Sequence, residues 1–218
     1  SALIFSPSFG IVNARGTLTS NTEYSTFSVS TDSISWRLRT TAFPTVSPKS
    51  VRYFNSLYYV ASDTGTLAVS TDTITWSLRT SGFGSTTINT IAYGSALTQK
   101  YVIAGPNGTL RSSTDSIAWT FRTSGFGSTA INSVTYGSGF YYAVGNNGLT
   151  TYSTDGIVWS IRSTNSTSAL TSVTDDETNL YVTAGASGTL LTFDKTYPVT
   201  STVPFASSSN GVDWTIVS

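Results

Sequence analysis

Four aspartates, Asp32, Asp72, Asp115 and Asp155, each stand four residues before a tryptophan, and Asn210 holds the same place before Trp214. Four arginines, Arg39, Arg79, Arg122 and Arg162, each follow those tryptophans by three, with Val217 in the fifth copy. Carboxylates can ligate metals or move protons, and guanidinium forks can grip a carboxylate. A group repeated once per unit is spread over the molecule, however, and cannot converge on one substrate. The aspartates therefore read as turn residues whose carboxylate accepts backbone N–H groups, a task Asn210 can share. The arginines read as edge residues of an outer strand that discourage edge-to-edge pairing.

Outside the repeated place stand Glu23, Asp63, Asp175, Asp176, Glu177, Asp194 and Asp213. Asp175-Asp176-Glu177 is the one acidic cluster. It lies between Leu170-Thr171-Ser172-Val173 and Leu180-Tyr181-Val182 and reads as a solvated hairpin turn, with a loose Ca²⁺ site as the alternative. Its surroundings do not supply the paired carboxylates of a glycosidase. No catalytic residue, metal or cofactor is expected.

Composition narrows the chemistry further. The 218 residues include no His, Cys or Met, which removes imidazole bases, thiol nucleophiles, ordinary zinc and copper sites, and disulfides. Eleven basic residues balance eleven acidic ones, and charged residues make up only 10%. Nothing here grips a phosphate backbone, so nucleic acid is not an expected partner. The longest apolar stretches, such as Phe140 to Val144, are far short of the roughly 20 residues that span a bilayer. No membrane insertion is expected, and no amino-terminal signal pattern is visible.

The elements that position these residues follow from the repeat. All five tryptophans, Trp36, Trp76, Trp119, Trp159 and Trp214, share one place in a unit, and a glycine opening a Gly-Thr-Leu-like triplet recurs at Gly16, Gly65, Gly108, Gly148 and Gly188. The two markers interleave strictly, so the chain holds five units. Each unit reads as four short strands; in the third these are Ile88 to Tyr93, Tyr101 to Ala104, Thr109 to Thr114 and Trp119 to Arg122. No window carries the apolar spacing of a helix. The expected fold is all-β: a five-bladed β-propeller of four-stranded antiparallel blades in one domain. Blades span about 1–44, 45–86, 87–129, 130–167 and 168–218, the chain beginning at a first strand. Insertions at about 19–27 and 191–205 interrupt the first and last, and ring closure would set them side by side.

The segments Ser70-Thr71-Asp72-Thr73-Ile74-Thr75-Trp76, Ser153-Thr154-Asp155-Gly156-Ile157-Val158-Trp159 and Ser208-Ser209-Asn210-Gly211-Val212-Asp213-Trp214 resemble the Asp-box, or BNR repeat. The resemblance covers essentially the whole chain. It implies a propeller in which the motif forms the turn between the third and fourth strands of a blade. Asp-box propellers include sialidases, lectins, assembly factors and phage virion proteins. The sialidases are longer and six-bladed, and their arginine triad converges on the central axis, unlike a row on outer strands. Enzyme activity is not expected.

Two places remain for binding. The loops after the fourth strands carry Phe43, Phe83 and Phe126, and the turns between second and third strands carry Asn107, Asn146 and Asn147; blade topology puts both on one face. An aromatic beside amides suits neutral glycans, and five-bladed tachylectin lectins present sites between blades in this way. The phenyl rings could equally be wedges between blades. The insertions add Tyr24, Lys195 and Tyr197, suited to stacking on a sugar or another protein, or to bracing ring closure.

The repeats also resemble the Thr-Asp-Gly-Ile-Thr-Trp arrays of phage proteins, and the hydroxyl-rich, charge-poor composition is similar to that of fibre and decoration proteins. The expected function is a non-catalytic structural or adhesion propeller of a virion (tail fibre, decoration or receptor-binding), located in the virion or outside the cell. Its partners would be virion protein, copies of itself in a homo-oligomer, or a surface glycan. The alternative is a free multivalent lectin. A lectin should keep its binding residues in most blades, whereas Thr164-Asn165-Ser166-Thr167 replaces the Phe loop in the fourth. A photosystem assembly factor of the same repeat family would need more blades.

Overall fold

A computed structural model describes residues 47–94, 99–175 and 180–193 in full, together with the backbone of 9–11, 24–30, 37–44, 194, 205–207 and 215–217. The chain forms two compact units, residues 1–91 and 92–218.

In the first unit, β1 (Phe9–Ile11), β2 (Tyr24–Ser30) and β3 (Arg37–Pro44) form a three-stranded sheet. Next comes a four-stranded sheet of β4 (Pro48–Phe54), β5 (Leu57–Ser62), β6 (Leu67–Ser70) and β7 (Ser77–Arg79), ordered as in the chain. The unit boundary falls inside β8 (Thr90–Gly94), which joins β9 (Lys100–Ala104), β10 (Leu110–Ser113) and β11 (Thr120–Arg122) in a second four-stranded sheet. A third contains β12 (Ile131–Gly137), β13 (Phe140–Gly145), β14 (Thr150–Ser153) and β15 (Ser160–Arg162). Then follow the three-stranded sheet β16 (Leu170–Asp175), β17 (Leu180–Gly185), β18 (Leu190–Asp194) and the hairpin β19 (Phe205–Ser207), β20 (Thr215–Val217). No α-helix occurs among the described residues.

Local chemistry sets the turns. The hairpins β4–β5 and β12–β13 close through Asn55-Ser56 and Ser138-Gly139, all at positive φ. Two consecutive left-handed residues give a turn whose twist matches that of the strands. Tight turns at Asp63–Gly65, Asn146–Gly148 and Ala186–Gly188 link second to third strands. Their middle residues, Thr64, Asn147 and Ser187, are left-handed, as is Asn107.

The core lies between stacked sheets. β13 is buried along almost its whole length, so both of its faces must be covered. Tyr141 and Ala143 join Val102, Ala104, Leu110, Phe126, Ile131, Val134 and Trp159 in one cluster. Tyr142 and Val144 face the other way and join Leu170, Val173, Tyr181, Leu191 and Phe193. Each aromatic ring buried this way contributes about 2 to 3 kcal/mol. Hydroxyls tie the sheets further: Tyr141 donates to the Lys100 carbonyl at 2.6 Å, and Tyr181 to those of Gly137 at 2.7 Å and Phe140 at 2.9 Å.

Among the described residues, the first and last repeats do not show four strands in one sheet. Phe9 pairs with Ser30 as Tyr58 pairs with Ser70, so β1 takes the place of a second strand, not a first. At the other end Tyr181 pairs with Phe193 where Tyr141 pairs with Ser153. Phe193 therefore stands where a serine opens the Asp turn in the regular sheets. Among the described residues no fourth strand pairs with β18. In sequence the second insertion separates β18 from Ser208-Ser209-Asn210, which stands between β19 and β20.

Candidate functional site

The repeated aspartates are committed to their turns. Between β10 and β11, Asp115 Oδ1 accepts N–H groups from Ile117 at 2.8 Å and Ala118 at 2.9 Å, and the Ser113 hydroxyl at 2.9 Å. Asp72 accepts from Ile74 and Thr75, both at 2.8 Å, and Asp155 from Ile157 at 2.8 Å and Val158 at 3.0 Å. The Thr75 and Ile74 N–H groups hold the Asp72 carboxyl below its ordinary range, and those of Ile117 and Ala118 do the same for Asp115. Partial burial pushes Asp155 upward, yet its hydrogen bonds leave it lowered on balance. The next residue is left-handed in each case: Thr73, Ser116 and Gly156.

The marker glycines mark a close approach. A Cβ on Gly65 would overlap the Gly84 carbonyl, one on Gly108 the Gly127 carbonyl, and one on Gly148 the Ser166 carbonyl. Each glycine also has positive φ, and its own carbonyl accepts a hydroxyl from the loop after the fourth strand. The donors are Ser81 at 2.7 Å, Ser124 at 2.8 Å and Thr164 at 2.8 Å. Loop and turn thus meet at one end of the strands in these three sheets. Gly188 has positive φ, and among the described residues nothing lies within 4 Å of a Cβ there.

The two described aromatic candidates at this end, Phe83 and Phe126, are wedges, not platforms. Phe83 is 5% exposed and Phe126 2%. A Cβ on Gly145 would lie 2.7 Å from the Phe126 ring, so this phenyl seats the turn that opens with Gly145. Burial on both sides leaves neither ring a face for a ligand. Asn107, Asn146 and Asn147 are exposed. Asn146 Oδ1 accepts the Asn132 amide at 2.9 Å, while that amide also reaches the Leu170 carbonyl at 2.8 Å. Asn107 and Asn147 occupy left-handed positions that asparagine tolerates well. Phe126 and the Asn146 turn are brought together, but with the ring beneath the backbone. Phe43 lies in β3 and Tyr24 opens β2, their side chains outside the described residues, as are Lys195 and Tyr197 entirely.

The arginines brace the sheets. Arg122 Nε donates to Ser112 Oγ at 2.8 Å, and the Arg162 guanidinium sits 5.1 Å from the Phe193 ring centre. Asp175 packs on Gly137 and pairs with Tyr181, taking the register place that Tyr136 holds opposite Tyr141. No group of three or more potential metal ligands occurs among the described residues.

Sequence reasoning missed the outer rim. The exposed large apolar residues are Ile74, Leu78, Ile117, Phe121, Val158 and Ile161, each 56 to 69% exposed. Leu78, Phe121 and Ile161 are the middle residues of β7, β11 and β15; the other three lie in the Asp turns. The available signal was the Ser/Thr-apolar-Arg triplet on a fourth strand, which lacks a neighbour beyond it.

Antiparallel four-stranded sheets that stack face on face, joined by loops that lock onto the turns of their own and the next sheet, define the chain as a β-propeller. Solved structures agree. The chain is similar to YCF48 from Cyanidioschyzon merolae, with TM-score 0.62 and 18% identity over 79% of this chain and 62% of that one. It is similar to YCF48 bound to D1 peptide (TM-score 0.57, 14% identity, 78% and 57% covered). It is also similar to a chain in the mitotic checkpoint complex (0.63, 13%, 82% and 60%). It thus spans about three-fifths of each of those chains. No family model and no curated protein matches the sequence.

Proposed function

We propose that the chain is a non-catalytic propeller of the Asp-box kind that acts in assembly or adhesion by contacting protein, in the manner of a virion-associated structural module. The observation that carries this reading is the outer rim. Six large apolar side chains, each more than half exposed, recur at the edge of successive sheets. Exposed apolar surface repeated in this way favours contact with protein. YCF48 bound to D1 peptide and the checkpoint complex are propeller-containing structures with protein partners, which supports the same direction. The turn aspartates are engaged by backbone N–H groups, which supports a scaffold role for them.

A second reading, a multivalent lectin for neutral glycans, draws on exposed Asn107, Asn146 and Asn147 on one face. It is weakened by the burial of Phe83 and Phe126. Sedimentation at rising concentration, with wild type against the variant Leu78→Ser/Phe121→Ser/Ile161→Ser, tests the rim. The expected result is self-association lost in the variant. A monomeric wild type that binds a glycan array saturably, unaffected by the rim changes, would overturn the protein-contact reading in favour of the lectin.

A further inference from the structure

We infer that the Asn107-Gly108 and Asn147-Gly148 turns are sites of spontaneous backbone modification, held off by the clamps of the native sheets and released by local opening. In an Asn-Gly pair the glycine nitrogen, unscreened by a side chain, can attack the asparagine amide carbon. The nitrogen loses its proton, the N–Cγ bond forms, the Cγ–Nδ2 bond breaks and ammonia leaves, giving a five-membered succinimide. Water then opens the ring at either carbonyl. One opening restores the main chain as aspartate; the other gives isoaspartate, with one extra main-chain carbon and a new carboxylate. No oxidant or reductant is needed.

Both asparagines are exposed and both are followed by a left-handed glycine. In the native turn Asn147 has φ 57° and ψ 29°, which turns the Gly148 nitrogen away from the side chain. The attack requires that ψ to rotate, and four contacts resist. Leu149 N donates to the Asn146 carbonyl at 3.1 Å, Gly145 N to Leu149 at 3.0 Å and Asn146 N to Ala130 at 3.1 Å, while Thr164 Oγ1 holds the Gly148 carbonyl at 2.8 Å. The Asn107 turn is tied in the same way by Thr109 N to Pro106 at 3.0 Å, Gly105 N to Thr109 at 3.0 Å and Ser124 Oγ to Gly108.

The two clamps differ. The loop over Gly108 is pinned by the buried Phe126, whereas the loop over Gly148 carries half-buried Ser166 instead. Asn147 therefore reacts before Asn107. The isoaspartyl product has no place in either turn, because the glycine Cα already abuts the Gly127 or Ser166 carbonyl. Modification converts a transient opening into a permanent one.

The test is mass-spectrometric peptide mapping of the full chain after incubation at mildly alkaline pH, native and in urea. Both turns should modify at similar rates in urea. In the native protein both should slow by roughly tenfold or more, because reaction waits on opening, with Asn147 ahead. Thr164→Val should speed Asn147 alone, and Ser124→Ala should speed Asn107 alone. Native rates equal to those in urea, or a clamp variant that leaves its own turn unchanged, would overturn the inference. If a variant raised both turns together, global unfolding would account for it; the wild-type ratio of native to urea rates then decides.

Discussion

The two sides of the β12–β15 sheet are built from different parts for the same purpose. On the β8–β11 side, Trp159 follows the Asp turn, is 9% exposed and lies 6.1 Å from Tyr141, while Phe126 wedges in from a loop. On the β16–β18 side, the described residues include no tryptophan. Phe193 projects from the strand itself, is 8% exposed, and lies 5.2 Å from Tyr142, with Tyr142 stacked on Tyr181 at 4.9 Å. Arg162 covers the outer edge of that junction. One large ring against a tyrosine is the constant. The element that delivers it is not.

The comparison is broken most strongly at the wedge. Phe126→Ala should cost about 3 to 5 kcal/mol, measured by urea unfolding. Ser166→Phe, which restores a wedge residue to the other loop, should stabilise less than that or not at all, because Leu170 already lies against Gly185. A rise equal to the Phe126 loss would mean that the two junctions are equivalent after all.

The glycines sharpen the same contrast. Gly148→Ala combines positive φ with overlap on the Ser166 carbonyl, and about 3 kcal/mol or more should be lost. Gly188→Ala meets no described neighbour and should lose only about 1 kcal/mol, from φ alone. Equal thermal shifts for the two variants would contradict a carbonyl clamp that acts at Gly148 and not at Gly188.

The junctions should also part in alkali. Burial pushes the Tyr142 hydroxyl up to about 12, above an unfolded value near 10. Its contribution is complete below pH ~10 and is lost as pH rises from there toward the folded value. Phenolate absorbance should therefore lag free tyrosine and rise together with the loss of circular dichroism, a coupling that Tyr142→Phe weakens. The smallest effect is expected at the Asp turns. There Ser116→Gly relieves a left-handed side chain but also removes a buried serine, so the two effects oppose and urea unfolding should move by about 1 kcal/mol or less.

The all-β propeller fold was legible because the tryptophans and glycines keep step, and described members of both sets mark packing: the Trp159 ring on Tyr141, and Gly65, Gly108 and Gly148 against a carbonyl. The aspartates were legible too, since a carboxylate one residue before a left-handed position has few other tasks. Phe83 and Phe126 were ambiguous as candidate ligand residues. A phenyl in a glycine-rich loop suits a sugar platform or a wedge, and only the neighbouring sheet, far off in sequence, decides. Leu78, Phe121 and Ile161 were missed because alternation on a short strand looks the same whether the apolar face meets a sheet or solvent. Phe193 lies inside the 191–205 segment that repeat spacing marks as an insertion.

The tyrosine hydroxyls give the array a direction. Tyr141 and Tyr181 each reach back about 40 residues to the carbonyls of the preceding sheet's hairpin. A growing chain therefore offers each new sheet a template that is already folded, and every junction can close as soon as its own strands exist. Assembly by nearest neighbours lets a unit be copied or lost without redesigning the rest.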